Sequence, residues 1–505
     1  MAEFRAPLSS FLYAQRVRIY LDRGSSDAER SEQERDCACA LATAPDSFGG
    51  GALDLERLLQ QDTEVWRIHP LPERMRKAST WVAVPLGDGE HTAFLSPYQP
   101  HGLVAVLNQT AQALWRRLPA QPFAVQGVPE AWHPTLTGLY QAGLLLDADA
   151  RDFDFATTQA AALSLWVEVT RGCNLDCPYC YVPKEGPVLS SATFRSLLPG
   201  YLQEAARLSL PLRLKFAGGE PTLAWNHLLS LYRWARTAAH QHGVPLQPVL
   251  LTNGTLLTPD RLAFLAQEGF ALAVSLDGFA NGHDAHRTAR NGRPTAARVR
   301  QTVIQARALG IPVSLTNTIT RHNIADIPAF VAFAVALEAP FNLNFYRPRQ
   351  WPDPLLPASE DLIARVLEAL DWLEAHLPRY RVIDGLLDRA RFDAPHTFVC
   401  DAGRTYHAVN VHGRRAACPM LLGDASGWAT AFRVSPVHER EGCADCPWRF
   451  WCGGGCPIVA AQAYGSLQAA SPYCHVYQAL YPHLVRLEGL RVLRYGQVAH
   501  SPLPL

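Results

Sequence analysis

The chain has 505 residues, of which 48% are hydrophobic and 18% are charged, a composition typical of a globular protein with a sizeable core. Its 46 lysine and arginine residues equal its 46 aspartate and glutamate residues, so no global field attracts nucleic acid or anionic lipid. No apolar run is long enough to cross a bilayer, and charges interrupt residues 1–24 too often for a signal peptide. We therefore expect a soluble, cytoplasmic protein of about three domains that binds neither nucleic acid nor membranes.

The first part of the chain predicts an extension and a small module. Residues 1–79 form the extension, and residues 22–50 within it are polar and small, as in loops. Cys37 and Cys39 lie in this loop and are interpreted as free surface thiols. Residues 80–150 predict a compact α+β module with strands at "WVAVPL", "HTAFLS" and "GLVAVLN", followed by helices at "NQTAQALWRRL" and "LTGLYQAGLLL".

Residues 160–392 alternate between strand-like and helical stretches. Six β-rich runs begin with "LSLWVEVT" and end with "FNLNFYRP", and amphipathic stretches at 191–207, 225–242, 259–268, 295–309 and 324–338 separate them. This alternation predicts an α/β fold with a parallel sheet, built as an open, partial (β/α)6 barrel. Residues 359–392 are expected to continue as helix.

The amino-acid composition and the periodicity change again in residues 395–485. This region has seven cysteines, many glycines and prolines and little periodicity, so we expect metal ligands to hold it together. Residues 486–505 are interpreted as a C-terminal tail.

Unusual residues follow each of the six predicted strands. In parallel α/β barrels the carboxyl ends of the strands carry the active site, although loops also collect Gly, Asn and Asp for turns. In strand order the candidates are Cys173, Cys177 and Cys180; Gly218, Gly219, Glu220 and Pro221; Asn253; Ser275 and Asp277; Asn317; and Arg347.

The three cysteines after the first strand indicate a soft metal centre. Thiolates select zinc or iron–sulfur clusters, and clustered cysteines in a reducing compartment favour such roles over disulfides. A structural zinc site takes four ligands. Three cysteines on one loop, with no nearby fourth Cys or His, suit a cubane cluster with one open iron.

The spacing of these cysteines, with Tyr179 before the last, resembles the radical S-adenosylmethionine (SAM) superfamily. The resemblance covers residues 163–350. It implies that Gly218, Gly219, Glu220 and Pro221 contact the SAM amino group, that Ser275 contacts the ribose, and that Arg287 binds the carboxylate. Tyr179, Asn253, Asp277 and Asn317 complete the expected cofactor contacts.

The resemblance also implies the chemistry. Cys173, Cys177 and Cys180 would hold a 4Fe–4S cluster whose open iron chelates SAM. One electron, from a donor such as flavodoxin or ferredoxin, would cleave SAM into methionine and a 5′-deoxyadenosyl radical. That radical abstracts hydrogen from an unactivated C–H bond, while the protein positions the reactants and excludes water.

The C-terminal cysteines resemble the SPASM domain, an extension that holds two auxiliary 4Fe–4S clusters. All seven positions match. By this resemblance one cluster takes Cys443, Cys446, Cys452 and Cys474, and the other takes Cys400, Cys418 and Cys456. Two cubanes require eight thiolates, so we hypothesise an open iron in the second cluster, filled by a substrate thiolate or by Asp401.

SPASM enzymes mostly modify peptides. This predicts a maturase that forms a thioether or carbon–carbon cross-link in a ribosomal precursor peptide. Residues 80–150 resemble, over part of their length, the small element that binds such precursors by strand addition, and Leu107, Asn108 and Trp115 could equally be core and cap residues.

Two alternatives stay open. A sulfatase-type maturase would oxidise Cys or Ser to formylglycine, but its family places an Asp where this chain has Pro419. A non-catalytic iron–sulfur carrier would not need the residues expected to contact SAM.

Overall fold

A computed structural model describes residues 19–21, 71–98, 104–151, 160–184, 186–388, 390–392, 394–423, 432–495 and 497–499. Cys37, Cys39 and the loop predicted at 22–50 lie outside these ranges. None of the helices within them is long and apolar enough to cross a membrane.

The N-terminal module is an α+β unit. Helix α1 begins where the Asn108 side chain accepts a hydrogen bond from Ala111 N–H at 3.0 Å, which satisfies one of the free amides of the first turn. The elements are β1 (Ile19–Leu21), β2 (Arg74–Lys77), β3 (Val82–Pro85), β4 (His91–Leu95), β5 (Val104–Asn108), α1 (Gln109–Arg117), β6 (Phe123–Ala124), α2 (His133–Gln141) and β7 (Leu145–Asp147).

The second predicted helix of this module is shorter than expected. Gly143, at a φ of 65°, follows the end of α2 at Gln141, and a glycine in this conformation is a common helix stop. Residues 145–147 then pair with β2 as strand β7. Leu144 and Leu145 are fully buried, and a short leucine run suits either element, so periodicity misassigned it.

Alternating strands and helices follow, in the predicted order. They are β8 (Leu163–Thr170), α3 (Ser191–Leu208), β9 (Leu212–Gly218), α4 (Trp225–Gln241), β10 (Leu246–Thr252), α5 (Pro259–Gln267), β11 (Ala271–Ser275), α6 (Asn281–Asp284), α7 (Ala296–Ala308), β12 (Val313–Ile319), α8 (Ile327–Ala336), β13 (Phe341–Phe345) and α9 (Ser359–Ala375).

Strands β8 to β13 form one parallel sheet in which each strand pairs with the next along the chain. The predicted partial (β/α)6 barrel is therefore confirmed. The helix predicted to run to residue 392 ends at Ala375 instead. Pro378 disfavours helical backbone in the residue before it and cannot continue a helix itself.

The two faces of this sheet differ in polarity. Residues in register point to the same face, and one face carries rows such as Leu165–Leu214 and Leu272–Val313. The other face carries buried polar and charged side chains, among them Glu168, Arg213, Lys215, Ser314 and Asn342. The apolar face suits the helix layer, because helices bury apolar stripes of their own. The polar face then lines the inside of the barrel.

The C-terminal region extends the barrel sheet. Its elements are β14 (Tyr406–Val409), β15 (Arg415–Ala416), α10 (Arg449–Cys452), α11 (Pro457–Tyr464), α12 (Cys474–Tyr495) and β16 (Gln497–Ala499). Strand β14 pairs in parallel with β8, and β15 pairs antiparallel with β14. The sequence did not predict this continuation, because two to four residues carry too little pattern.

Helix α12 runs across residue 486, where we expected a tail to begin. It packs on the N-terminal module: Arg486 Nε donates to Leu86 O at 3.2 Å. A Cβ at Gly489 would lie 2.8 Å from a methyl of Leu86 and 2.9 Å from Ala93 Cβ, so glycine permits this close approach. Charged residues such as the buried Glu488 and Arg491 interrupt the apolar pattern, which explains why the helix was missed.

The module sheet has the order β16–β1–β5–β4–β3, and a second small sheet has the order β6–β2–β7. Strand β1 is antiparallel to both β5 and β16. Strands β1 and β16, from the two ends of the described chain, thus extend the module sheet beyond β5.

Candidate active site

The loop after β8 contains Cys173, Cys177 and Cys180. Its backbone is tied to the segment that follows α6: Asp176 N–H donates to Thr288 O at 3.2 Å, and Arg290 N–H donates to Asn174 O at 3.1 Å. The loop therefore has two anchors, the end of β8 and the 288–290 segment.

Two cations hold the same loop from its C-terminal side. Lys184 Nζ donates to Cys177 O at 3.0 Å, and Arg349 Nη2 donates to Tyr181 O at 2.7 Å. Sequence reasoning named Arg347 at the sixth strand end, but Arg347 pairs with Asp388. Lys184 comes shortly after Cys180, and Arg349 comes shortly after Arg347. This nearness to predicted site residues is the only signal in the sequence that could have identified them.

Gly218 and Gly219 press directly on the start of the cysteine loop. A Cβ on Gly218 would overlap the carbonyl oxygen of Thr170, and one on Gly219 would overlap that of Gly172. Gly219 N–H donates to Thr170 O at 2.8 Å. Both positions thus require glycine for backbone contact alone.

The carboxylate of Glu220 is fully buried and accepts hydrogen bonds from its neighbours. Oε1 accepts from Thr222 N–H at 3.1 Å and from Thr252 Oγ1 at 2.9 Å, and Oε2 accepts from Asn253 N–H at 2.7 Å. Burial raises the pKa of Glu220, and these hydrogen bonds oppose the rise. The carboxylate therefore positions the ends of β9 and β10 against each other.

Asn253 carries this network to the first cysteine. Its Nδ2 donates to Asn174 Oδ1 at 2.9 Å and lies 3.9 Å from Cys173 Sγ. Its Oδ1 accepts from Thr255 N–H at 3.0 Å. Glu220, Asn253 and Cys173 thus form one connected group, and Asn174 is a member that the sequence did not single out.

Tyr179, Asp277 and Arg287 form a second group beside Cys177. Arg287 Nε donates to Asp277 Oδ2 at 2.7 Å, and Tyr179 Oη donates to the same oxygen. The Arg287 guanidinium lies 5.5 Å from the centre of the Tyr179 ring. Burial is the largest single influence and favours the neutral acid, but the charge of Arg287, a smaller contribution from His283 and the hydrogen bonds from Arg287 and Tyr179 together lower the pKa of Asp277. The Nη groups of Arg287 make no hydrogen bond to any described residue, so one edge of the fork is left for an anion.

His283 contacts this group through the backbone of Asp277. Asp277 N–H donates to His283 Nδ1 at 3.2 Å, and His283 Nε2 lies 3.0 Å from Thr295 Oγ1. Burial lowers the pKa of His283 to about 4, although the charge of Asp277 opposes it. A neutral imidazole is consistent with Nδ1 as acceptor.

Three of the expected cofactor contacts stand apart from these groups. Ser275 ends β11 on the polar face and is partly exposed. Pro221 begins a short 3-10 helix. Asn317 is in register with Leu343 on the apolar face, and its Nδ2 donates to Leu276 O at 3.3 Å.

The thiols of the loop suit a metal cluster that deprotonates them. Burial raises the pKa of Cys173, and it raises that of Cys177 to about 11, so ligation would release protons on binding. Nowhere in the described ranges do three Cys, His, Asp or Glu side chains converge as ligands of a single ion would. In a cubane each cysteine binds a separate iron.

The C-terminal cysteines lie in a predominantly buried environment. Cys443, Cys446 and Cys474 lie near enough to Cys452 for their charges to act on it, and burial is the main reason that the pKa of Cys452 rises to about 12. These four are the set expected for one cluster. Of the other set, Cys418 and Cys456 are buried and Cys400 is partly buried.

Comparisons with known proteins agree with this geometry. The sequence model described as "Radical SAM superfamily" matches residues 167–334. "PqqA peptide cyclase" of Rhodopseudomonas palustris is 27% identical over 362 residues, covering 63% of this chain and 88% of that protein. "AdoMet-dependent heme synthase" of Methanosarcina barkeri is 32% identical over 187 residues, covering 36% of this chain and 50% of that protein.

Solved structures share the fold. The one described as "Native anSMEcpe with bound AdoMet and Cp18Cys peptide" has a TM-score of 0.52 at 18% identity, covering 65% of this chain and 99% of that chain. At this identity the likeness speaks for the fold alone. With the cysteine loop and this fold, the family match over residues 167–334 leads to one conclusion: this segment is a radical SAM domain, and the protein is a radical SAM enzyme.

Proposed function

We propose that this enzyme is a peptide maturase that cross-links a ribosomally made precursor peptide. The observation that carries the proposal is the pairing of the cysteine loop with the Asp277–Arg287 group, which leaves guanidinium donors beside Cys177 for the carboxylate of SAM. The curated relative named PqqA peptide cyclase and the solved structure with a bound peptide support a peptide substrate by likeness.

The residues of the chain have separate tasks in this proposal. Superfamily members bind SAM and a 4Fe–4S cluster, and the bound pair supplies a 5′-deoxyadenosyl radical that takes hydrogen from the substrate. Cys173, Cys177 and Cys180 would hold the cluster, and Arg287 would hold the SAM carboxylate, with Asp277 fixing its orientation. Glu220 and Asn253 position the loop, and the barrel wall excludes water.

The C-terminal cysteines would hold two auxiliary clusters that accept electrons, because forming a thioether or carbon–carbon bond is a net oxidation. An open iron in the Cys400, Cys418 and Cys456 cluster would take the substrate thiolate. Asp401 Oδ1 is bound by Arg404 Nη2 at 2.9 Å, which favours the thiolate over Asp401 as the eighth ligand. Pro419 is buried and begins a 3-10 helix, so no base stands where a formylglycine-forming maturase needs one.

The N-terminal module would recognise the precursor by strand addition. Strands β1 and β16 already cover β5, whereas β3 is the other edge of the sheet among the described strands. Trp81, next to β3, is 37% exposed, which is ample for a contact with a peptide side chain. We therefore expect the precursor to pair along β3. Hydrogen exchange would test this: the peptide should slow exchange of the amides at residues 82–84, and slowing at β5 instead would contradict it.

The first experiment is an iron count on anaerobically reconstituted protein. Three cubanes predict about twelve iron and twelve sulfide per chain. The variant with Ala at positions 173, 177 and 180 should hold about eight and release no 5′-deoxyadenosine with SAM and dithionite. An unchanged iron count in that variant would overturn the proposal. The second step is to incubate the enzyme with any short peptide encoded beside its gene and measure the mass change, where a loss of two hydrogens without an aldehyde that reacts with a hydrazide indicates a cross-link, and an aldehyde indicates formylglycine.

A further inference from the structure

Three consecutive glycines stand between two C-terminal cysteines. Gly453, Gly454 and Gly455 separate Cys452 from Cys456, and their φ angles are 59°, 82° and 72°. Residues with side chains rarely adopt this left-handed conformation even once. A run of three in a folded loop therefore has a specific structural cause.

Each of these glycines presses on a different segment. A Cβ on Gly453 would lie 2.5 Å from Val399 N, one on Gly454 would overlap the guanidinium of Arg440, and one on Gly455 would overlap Ser471. Val399 precedes Cys400, Arg440 is three residues before Cys443, and Ser471 is three residues before Cys474. The glycine loop thus gathers three cysteine-bearing segments from distant parts of the sequence.

Arg440 lies at the centre of this arrangement and is 2% exposed. Its Nε donates to Gln468 O at 3.0 Å and its Nη1 to Gly453 O at 3.1 Å, and its Nη2 donates to Ala469 O and, at 3.5 Å, to Gly454 O. All of these acceptors are neutral backbone carbonyls. Within the described ranges no carboxylate pairs with Arg440.

A buried cation without an anion is costly, and folded proteins almost always pair such charges. Burial lowers the pKa of Arg440, and the negative charges that oppose this belong to Cys443, Cys452 and Cys456. The first two come from one expected cluster set and the third from the other. The geometry agrees: Arg440 O accepts from Cys443 N–H at 3.1 Å, and the guanidinium lies on the loop between Cys452 and Cys456, so Arg440 is next to cysteines of both sets.

We propose that Arg440 is the shared counter-charge of the two auxiliary clusters and raises their reduction potentials. This rests on the proposed function, in which those cysteines hold 4Fe–4S clusters. Four thiolates around a 2+ core have a net charge of about −2, and one-electron reduction to a 1+ core makes the site more negative. A fixed positive charge stabilises the reduced form more than the oxidised one. Arg440 thereby favours acceptance of an electron, and it acts on the potential without touching the substrate.

The test is a redox titration of the reconstituted protein with dithionite, followed by electron paramagnetic resonance of the auxiliary signals. Arg440→Gln keeps amide donors for the carbonyls but removes the charge, whereas Arg440→Lys keeps the charge. We expect the equilibrium constant for reduction to fall at least tenfold in Arg440→Gln, which is about 59 mV for one electron. In Arg440→Lys it should stay within about threefold of the wild type.

The control is Arg491→Gln. Arg491 is also buried, but it pairs with Glu488 and stands 17 positions after Cys474 on α12, about 25 Å along the helix. We expect this variant to lose stability without a change in potential. Equal falls in potential in Arg440→Gln and Arg491→Gln would overturn the proposal.

Other outcomes also decide the question. Unchanged potentials in Arg440→Gln refute the counter-charge. If Arg440→Gln loses its auxiliary iron while Arg440→Lys retains it, the Arg440→Lys potentials decide: values within about threefold of the wild type in the equilibrium constant support the proposal, and a fall of about tenfold refutes it. Loss of iron in both means that the guanidinium is only a structural clamp. The wild-type iron count comes first: about four per chain would refute the auxiliary clusters themselves, and with them the role of Arg440.

Discussion

Replacing Glu220 by glutamine separates a positioning role from direct contact with SAM. The wild-type carboxylate offers acceptors on both oxygens, and Asn253 N–H lies 2.7 Å from Oε2. A glutamine that keeps its oxygen at the Oε1 position, where Thr222 and Thr252 donate, turns its NH2 toward Asn253 N–H. Two donors then face each other in a fully buried site.

Leaving one buried donor unsatisfied costs about 1–3 kcal/mol, so we expect the free energy of unfolding of the cluster-free protein to fall by that amount. Urea unfolding under anaerobic conditions measures it. Because Asn253 also holds the loop of Cys173, the first cluster should load less iron. SAM binding, measured by equilibrium dialysis, should fall only in proportion to the iron lost.

Glu204→Gln is the matched control, since Glu204 is 43% exposed and pairs with Arg207 on the surface of α3. An exposed pair of this kind contributes little, so we expect a change within about 0.5 kcal/mol. The reasoning is refuted if Glu220→Gln keeps full stability and full iron but binds SAM at least tenfold more weakly. The carboxylate would then contact the ligand itself.

Three further predictions follow from packing and charge. In Gly219→Ala the new Cβ overlaps the Gly172 carbonyl, so we expect a loss of about 1–3 kcal/mol and of about four iron per chain, whereas Gly200→Ala, with open space around it, should keep all its iron. Burial lowers the pKa of His283 to about 4. As the pH falls below about 6.5, the unfolded chain therefore binds a proton at His283 that the folded chain does not bind. Stability should therefore fall by about 2 kcal/mol from pH 7.5 to 5, less steeply in His283→Gln, and parallel urea curves for the two would contradict this. Burial is the largest single influence on Glu488 and raises its pKa, but the hydrogen bond and charge of Arg491 and the charge of Arg381 together lower the pKa. The stability that the Glu488 carboxylate contributes should be present above about pH 4.3 and be lost as the pH falls through the folded pKa. Glu488→Gln should lower the free energy of unfolding by about 3–5 kcal/mol at pH 7, a loss that thermal unfolding would detect.

The sequence was informative wherever elements are long and regularly spaced. The six barrel strands and the helices between them each have enough residues for a periodic pattern. A helix between two strands returns the chain to the edge where the first strand began, so consecutive strands are parallel. Prediction failed where an element is short, as in β7 and β14, or where charges pair inside it, as in α12. Tertiary contacts decide those cases, and a local pattern does not contain them.

The polar inner face of the barrel was a signal present in the sequence and overlooked. In β9, "LRLKFAG", Arg213 and Lys215 alternate with leucines. A parallel strand covered by helices on both faces is apolar throughout, so this alternation indicates that one face of the sheet is not covered by a helix. This alternation would have predicted the polar interior of the open barrel.

Both candidate cluster sites use glycine for the same physical reason. Gly218 and Gly219 let the end of β9 touch the backbone just before Cys173, and Gly453 to Gly455 let one loop touch the segments of Cys400, Cys443 and Cys474. In each case a side chain would push a cysteine-bearing backbone away. The resemblance to the radical SAM superfamily implies that the first pair also contacts the SAM amino group. In the structure these glycines let cysteine-bearing segments approach other backbone closely, so we expect a glycine-to-alanine change at either site to displace those segments.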